Sequence, residues 1–210
     1  MSESFTNKYV LPSPAGAFYS IASRETEPAK QFLQNLMTGK ETAMFDLKQT
    51  GENDLLLQHM QKLKWLQAFD QPVLIPEGTI EDALPEILEK LSSDSKALLA
   101  DDQGLYLAST GFTHEASEEL SALSGDLSSL YARHHGIIKG NLHIKSSAFS
   151  LVDAAGYSQL GFWPLYIGNM MFVLVVHGAP RFDQTAFVEL IWLLHKQYFI
   201  NEASVDSDAA

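Results

Sequence analysis

Residues 98–108 read Leu98-Leu99-Ala100-Asp101-Asp102-Gln103-Gly104-Leu105-Tyr106-Leu107-Ala108. Two short apolar runs, Ala97 to Ala100 and Leu105 to Ala108, flank an Asp-Asp-Gln-Gly linker. Asp and Gly supply the backbone conformations that reverse a chain, so the segment predicts a β-hairpin. Upstream, Thr79 stands where a helix to about Leu91 would start, with Glu81, Asp82 and Glu86 in its N-terminal half. A hydroxyl cap and early acidic residues both satisfy the positive N-terminal end of a helix. Downstream, Thr113 to about His134 reads as a long helix, and Gly136 to Ser147 as a looser connection. Three strand candidates follow: Ala148 to Asp153, Leu160 to Ile167 and Met170 to His177, with turns at Ala155-Gly156 and Gly168-Asn169. Met170 to Val176 is apolar throughout, so that strand should be central and covered on both faces. Pro164 places the preceding strand at a bulge or an edge, because proline cannot donate to a ladder. Asp183 then opens a last helix with Phe187, Leu190, Ile191, Leu194 and Tyr198 on one side.

From residue 79 the order is therefore α-β-β-α-β-β-β-α. That predicts an α+β fold with a five-stranded, mostly antiparallel sheet over 79–202, and a disordered acidic tail at 203–210. The preceding residues differ. Residues 1–16 carry Ser, Asn, Gly and two prolines and are expected to be a flexible arm. Residues 17–78 read as a small, mainly helical domain. Phe32, Leu33, Leu36 and Met37 recur at helical spacing before Gly39, Thr42 to Lys48 suggests a short helix, and Glu52 to Phe69 a longer one. Val73-Leu74-Ile75 reads as a strand, and Pro76-Glu77-Gly78-Thr79 as the domain boundary.

Charge divides unevenly across that boundary. The 210 residues hold 14 Lys plus Arg and 26 Asp plus Glu, a net charge of −12. Residues 1–78 contribute −2 and residues 79–210 contribute −10. An acidic body disfavours electrostatic binding to nucleic acid or anionic membrane. The absence of cysteine excludes disulfides, Cys-ligated zinc, iron–sulfur clusters and thiol nucleophiles. The seven-residue run at Met170 to Val176 is the longest apolar stretch, against about twenty needed for a membrane helix. Met1 to Gly16 has the form of neither a secretory signal nor a transit peptide, so a cytoplasmic location is expected.

The helix Thr113 to His134 is the most informative element. At 100° per residue, Ala116, Leu120, Leu123, Leu127 and Leu130 form one stripe, read as the core face. Much of the remaining arc is small and nearly uncharged: Ser117, Ser121, Ala122, Ser124, Gly125, Ser128, Ser129 and Ala132. Such an arc permits close backbone approach, and Gly125, at a cost of about 1 kcal/mol relative to Ala, needs a reason to be there. The arc is the candidate dimer interface, against the plainer reading of an exposed Ser/Ala face. A second candidate partner surface is Phe162, Trp163 and Tyr166. Alternation sends Phe162 and Tyr166 to one face of their strand and Trp163 to the other. Either one face is outward or both are core beneath covering helices.

The order from residue 79, and the strand, acidic turn, Gly, strand pattern of residues 98–108 above all, resemble the roadblock family of dynein light chains and their bacterial relatives. The resemblance covers about 120 residues. It implies a homodimer formed through the long helix and, as in bacterial members, engagement of small Ras-like GTPases. Residues 27–78 resemble a winged-helix module.

Signals for chemistry are weak. Lys40 follows Gly39 but lacks the Gly five residues earlier that a phosphate-binding loop requires, and no Gly-x-Gly-x-x-Gly occurs. His134 and His135 are helix neighbours whose side chains diverge, and His143 lies eight residues on, so no metal-binding spacing is present. No Gly-x-Ser-x-Gly elbow accompanies the many serines, and Asp101–Asp102 and Glu118–Glu119 read as solvated faces. The expectation is a non-enzymatic dimeric adaptor or regulator, without cofactor or metal, for a small Ras-like GTPase or another protein. The alternative is a winged-helix transcriptional regulator whose C-terminal domain dimerises or senses a ligand. Glu52, Asn53 and Asp54 at the start of the would-be recognition helix weigh against DNA.

Overall fold

The protein is described by a computed structural model, which covers residues 8–42, 54–75 and 79–199. It is a mixed α+β structure. The first described element is a strand, β1 (Tyr9–Pro12), followed by α1 (Pro14–Ile21) and α2 (Pro28–Asn35). Ser13 caps α1, its hydroxyl accepting from Gly16 N at 3.2 Å, and prolines sit in the first turn of both helices, where no amide donor is needed. Residues 9–16 are thus ordered, where the sequence reading expects an arm. Val10 and Leu11 alternate between two apolar clusters, which gives that short strand its anchor.

The segment expected as one helix from Glu52 to Phe69 divides into α3 (Asp54–Lys62) and β2 (Leu66–Phe69). Lys64 takes a left-handed conformation, φ 56°, which ends the helix, and Trp65 N closes the turn on Met60 O at 2.9 Å. β2 pairs antiparallel with β1, Tyr9 opposite Phe69 and Pro12 opposite Leu66. Val73-Leu74-Ile75 forms no regular strand; Leu74 makes one isolated bridge to Glu41. The short helix expected from Thr42 to Lys48 lies outside the described residues except for Thr42 itself.

From residue 79 the elements follow the expected order: α4 (Ile80–Lys90), β3 (Ala97–Asp101), β4 (Tyr106–Thr110), α5 (His114–His135), β5 (Phe149–Val152), β6 (Ser158–Ile167), β7 (Met170–His177) and α6 (Thr185–Tyr198). Thr79 and Thr113 cap α4 and α5 through their hydroxyls. A turn of π-helix, Gly136–Asn141, continues α5. The five strands form one antiparallel sheet in the order β4-β3-β7-β6-β5. β7 is its middle strand and is buried along Phe172–Val176, as its unbroken apolar run requires. Pro164 lies opposite Val173 of β7, beyond the stretch of β6 that pairs with β5, so its other side is a free edge.

The β3–β4 and β5–β6 hairpin turns share one device. Asp101 Oδ1 accepts from Gln103 N and Leu105 N, both at 2.9 Å, and Asp153 Oδ1 accepts from Ala155 N at 2.8 Å and Tyr157 N at 3.0 Å. A left-handed glycine completes each turn: Gly104 at φ +81° and Gly156 at +86°.

One face of the sheet carries α5, over Leu98, Ala100, Phe162, Val173 and Val175. The other carries α4 and α6 over Leu99, Leu165, Phe172 and Leu174. Leu11, Ala17, Ile21, Met37 and Ile75 belong to this second cluster, and Trp192 Nε1 of α6 donates to Gly39 O at 2.8 Å. The main core therefore crosses the position where the sequence reading places the domain boundary. The N-terminal elements also hold a smaller cluster of their own, around Leu33, Leu57 and Met60.

Candidate functional site: the faces and flank of helix α5

The small-residue arc of α5 faces three different surroundings. Ser117, Ser121 and Ser124 point at the sheet of their own chain; Ser121 and Ser124 are 0% exposed. Their hydroxyls donate to the carbonyls four residues back, Ser117 to Thr113, Ser121 to Ser117 and Ser124 to Leu120, at 2.9, 2.7 and 2.8 Å. Ser117 Oγ also meets Ser109 Oγ of β4 at 2.7 Å. These three are core residues, which removes them from the expected dimer interface. The helix is rotated relative to the sequence reading. Leu120 and Leu127 reach the core only from the side, while Leu123 and Leu130 are 39% and 40% exposed.

Ala122 and Gly125 lie beside the β3–β4 turn. A Cβ added at Gly104 would stand 3.2 Å from Ser121 O and 3.5 Å from Ala122 Cα, and one added at Gly125 3.8 Å from Gly104 Cα. The close backbone approach that Gly125 serves is therefore that of the hairpin turn within the same chain.

Gly125, Ser128, Ser129 and Ala132 line a cleft of about 750 Å³ beneath the C-terminal half of α5. Its floor is Pro164, Tyr166 and Met171 of β6 and β7, and its opposite wall is the α1–α2 connection, Ala22 to Glu25. Tyr166 is thus a cleft residue, with the Arg24 guanidinium over its ring at 5.6 Å. Phe162 is 3% exposed under α5, so it is core rather than partner surface. Trp163 packs on the other side of the sheet against Phe182, ring centroids 5.1 Å apart. Both faces of β6 are covered at Phe162 and Trp163.

The wall carrying Arg24 is braced from within. Lys30, 4% exposed, donates to Ser23 Oγ at 2.5 Å and to Glu25 O at 3.2 Å, and lies over the Tyr19 ring at 5.5 Å. Glu25 pairs with Lys139, a contact spanning 114 residues that closes one end of the cleft. The hydrogen bond from Lys139, and then its charge, hold the Glu25 carboxyl below the usual carboxylate range, with Lys30 and Lys145 adding smaller contributions. No sequence pattern joins residues 22–25 to 128–145, so this cleft could be found only once the chain was folded.

Leu123 and Leu130 of α5 are exposed away from the cleft, and the cleft residue Tyr131 packs edge-on against Phe149 at the start of β5, centroids 6.4 Å apart. β5 is an edge strand whose Leu151 and Val152 are exposed. An edge strand with apolar side chains offers unpaired backbone groups to another chain.

Among the described residues no three His, Asp or Glu side chains converge as a metal site. His134, His135 and His143 are all exposed. His177 Nδ1 lies 2.8 Å from Asp94 Oδ2, but Ser93 Oγ bonds to the same carboxylate and not to the imidazole. The geometry joins β7 to the α4–β3 connection and lacks the serine–imidazole bond of a nucleophilic triad. Among the described residues no helix is long and apolar enough to cross a membrane.

No family model, curated protein or solved structure gave a significant match to the chain.

Proposed function

We propose that the protein is a non-enzymatic, dimeric adaptor or regulator that works by contact with a protein partner. The reading rests on one observation: Leu123 and Leu130 are exposed on a flank of α5 whose neighbouring edge strand, β5, exposes Leu151 and Val152. Apolar side chains beside an open strand edge gain most when a second copy supplies both a helix and a strand across a two-fold axis. This surface takes the place of the serine arc as the self-association face. The roadblock resemblance agrees in placing the contact on the long helix, and a small Ras-like GTPase is the partner class it implies.

Light scattering tests the first step. The protein should run at twice its 23.3 kDa chain mass at micromolar concentration. Leu123→Lys with Leu130→Lys should return it to one chain without loss of fold, because like charges would meet across the axis. A wild type that stays monomeric removes the reading. Capture from native cells, with the protein immobilised in GDP or in a non-hydrolysable GTP analogue, tests the second. A small GTPase retained in one nucleotide state is expected, since only differential affinity lets a contact partner act on a switch. Equal retention in both states counts against a regulatory role.

A further inference from the structure

We propose that the cleft beneath the C-terminal half of α5 is a binding site for a small aromatic anion: a ring-sized apolar body carrying a phosphate or carboxylate. Its volume, about 750 Å³, lies within the roughly 300–1,000 Å³ of small-molecule sites. The lining divides as such a ligand requires. Tyr166, Pro164 and Met171 make an apolar floor, and the hydroxyls of Ser128 and Ser129 stand along the helix side. Arg24, Lys139 and Lys145 stand at the wall and mouth, in a chain whose net charge is −12.

Those cations are not equally committed. Lys139 is paired with Glu25. Among the described residues neither Arg24 nor Lys145 has a carboxylate within 4 Å. Arg24 lies over the Tyr166 ring, and among the described residues no acceptor is bonded to its in-plane N–H groups, which suit the paired oxygens of a phosphate or carboxylate. The remaining lining carboxylate, Asp102, belongs to the β3–β4 turn. A cation, or a neutral ligand, would leave the Arg24 guanidinium without a carboxylate partner among the described residues. Pre-organisation favours binding as well. The buried Lys30 fixes Ser23 and the Glu25 carbonyl on either side of Arg24, so little ordering is left for the ligand to impose.

Calorimetric titration with 1-naphthyl phosphate, 1-naphthoate and uncharged 1-naphthol separates the contributions of charge and ring. Saturable binding of both anions below about 1 mM is expected, with 1-naphthol at least about tenfold weaker. Arg24→Gln should weaken 1-naphthyl phosphate about tenfold and Lys145→Gln severalfold. Both side chains are exposed, so neither change should alter the melting temperature. Ser129→Trp, placing an indole in the cleft, should abolish binding of all three. Absence of saturable binding by either anion overturns the proposal. So does 1-naphthol binding as tightly as the phosphate, or an Arg24→Gln protein that binds as the wild type does.

Discussion

Ser117, Ser121 and Ser124 show how a buried residue can pass for a surface one. A hydroxyl in a core costs free energy unless it is bonded, and each of these returns its proton to the helix carbonyl four residues back. The side chain is then small and internally satisfied, and α5 can sit close on β3 and the hairpin turn. Hydropathy ranks serine as polar and so places this face outward. The leucine stripe, periodic and correct as an amphipathic signal, lies on the side of the helix rather than beneath it. Substitution distinguishes the two placements. Ser121→Leu should destabilise the protein by about 1–3 kcal/mol through overpacking, whereas Ser129→Leu, on the same sequence arc but exposed, should stay within about 0.5 kcal/mol. Urea unfolding of the two variants checks this, and equal effects would contradict the observed rotation of α5. His195 is a second residue with a readable consequence. It is 1% exposed on α6, neither ring nitrogen has a hydrogen-bond partner among the described residues, and desolvation lowers its pKa from 6.5 to about 4. The unfolded chain therefore binds the extra proton first as pH falls below about 6.5. The stability of the folded state is fully present above that value and declines toward pH 4, by about 3 kcal/mol from this group. His195→Leu should flatten that part of the stability–pH profile and raise stability at neutral pH by about 1–3 kcal/mol, as it removes two unsatisfied polar atoms. An unchanged profile in the variant would place the acid sensitivity elsewhere.

Among the elements, the strands and helices after residue 79 were legible because of local signals: threonine caps at α4 and α5, an Asp-to-Gly turn in two hairpins, an unbroken apolar run in β7 and an apolar stripe at helical spacing in α6. Met170 to His177 agrees with the sequence reading residue for residue. The N-terminal elements were less legible. β1 is four residues long and acquires its meaning from β2, more than fifty residues away, and the break between α3 and β2 depends on Lys64 adopting a conformation that lysine rarely takes. Of the candidate site, the importance of α5 could be read, and the assignment of its faces could not. The cleft needs the α1–α2 connection, which no periodicity announces. The β3–β4 turn is the element whose requirements are most stringent. Gly104→Ala should cost about 1–3 kcal/mol, from the left-handed backbone and from a Cβ pressed on the carbonyl of Ser121. Gly156→Ala has the same backbone demand but open space around it, so its cost should be smaller. Equal losses in thermal unfolding would mean that the packing of the turn on α5 contributes nothing.

At the scale of the whole molecule, the shared core makes the segments before and after residues 76–78 thermodynamic partners. Leu11, Ala17, Ile21 and Met37 complete the apolar cover of α6, and the Trp192–Gly39 bond ties α6 to the segment after α2. A single cooperative unfolding transition is expected by both fluorescence and circular dichroism. Trp192→Phe should lower its midpoint, with a loss of about 1–3 kcal/mol, because the buried indole is replaced by a smaller ring that lacks the donor to Gly39 O. Two resolved transitions would instead show that the segments unfold independently. The order of strands in the sheet bears on how this protein is made. β3 lies between β4 and β7, and Ala97 pairs with Val176. At roughly 5–20 residues per second, a ribosome needs about 4–16 s to travel from the first of these positions to the second. Until β7 is made, the β3 edge of the nascent hairpin has no strand partner, so its exposure to chaperones and to neighbouring chains is set by translation speed rather than by the folding rate of the finished chain.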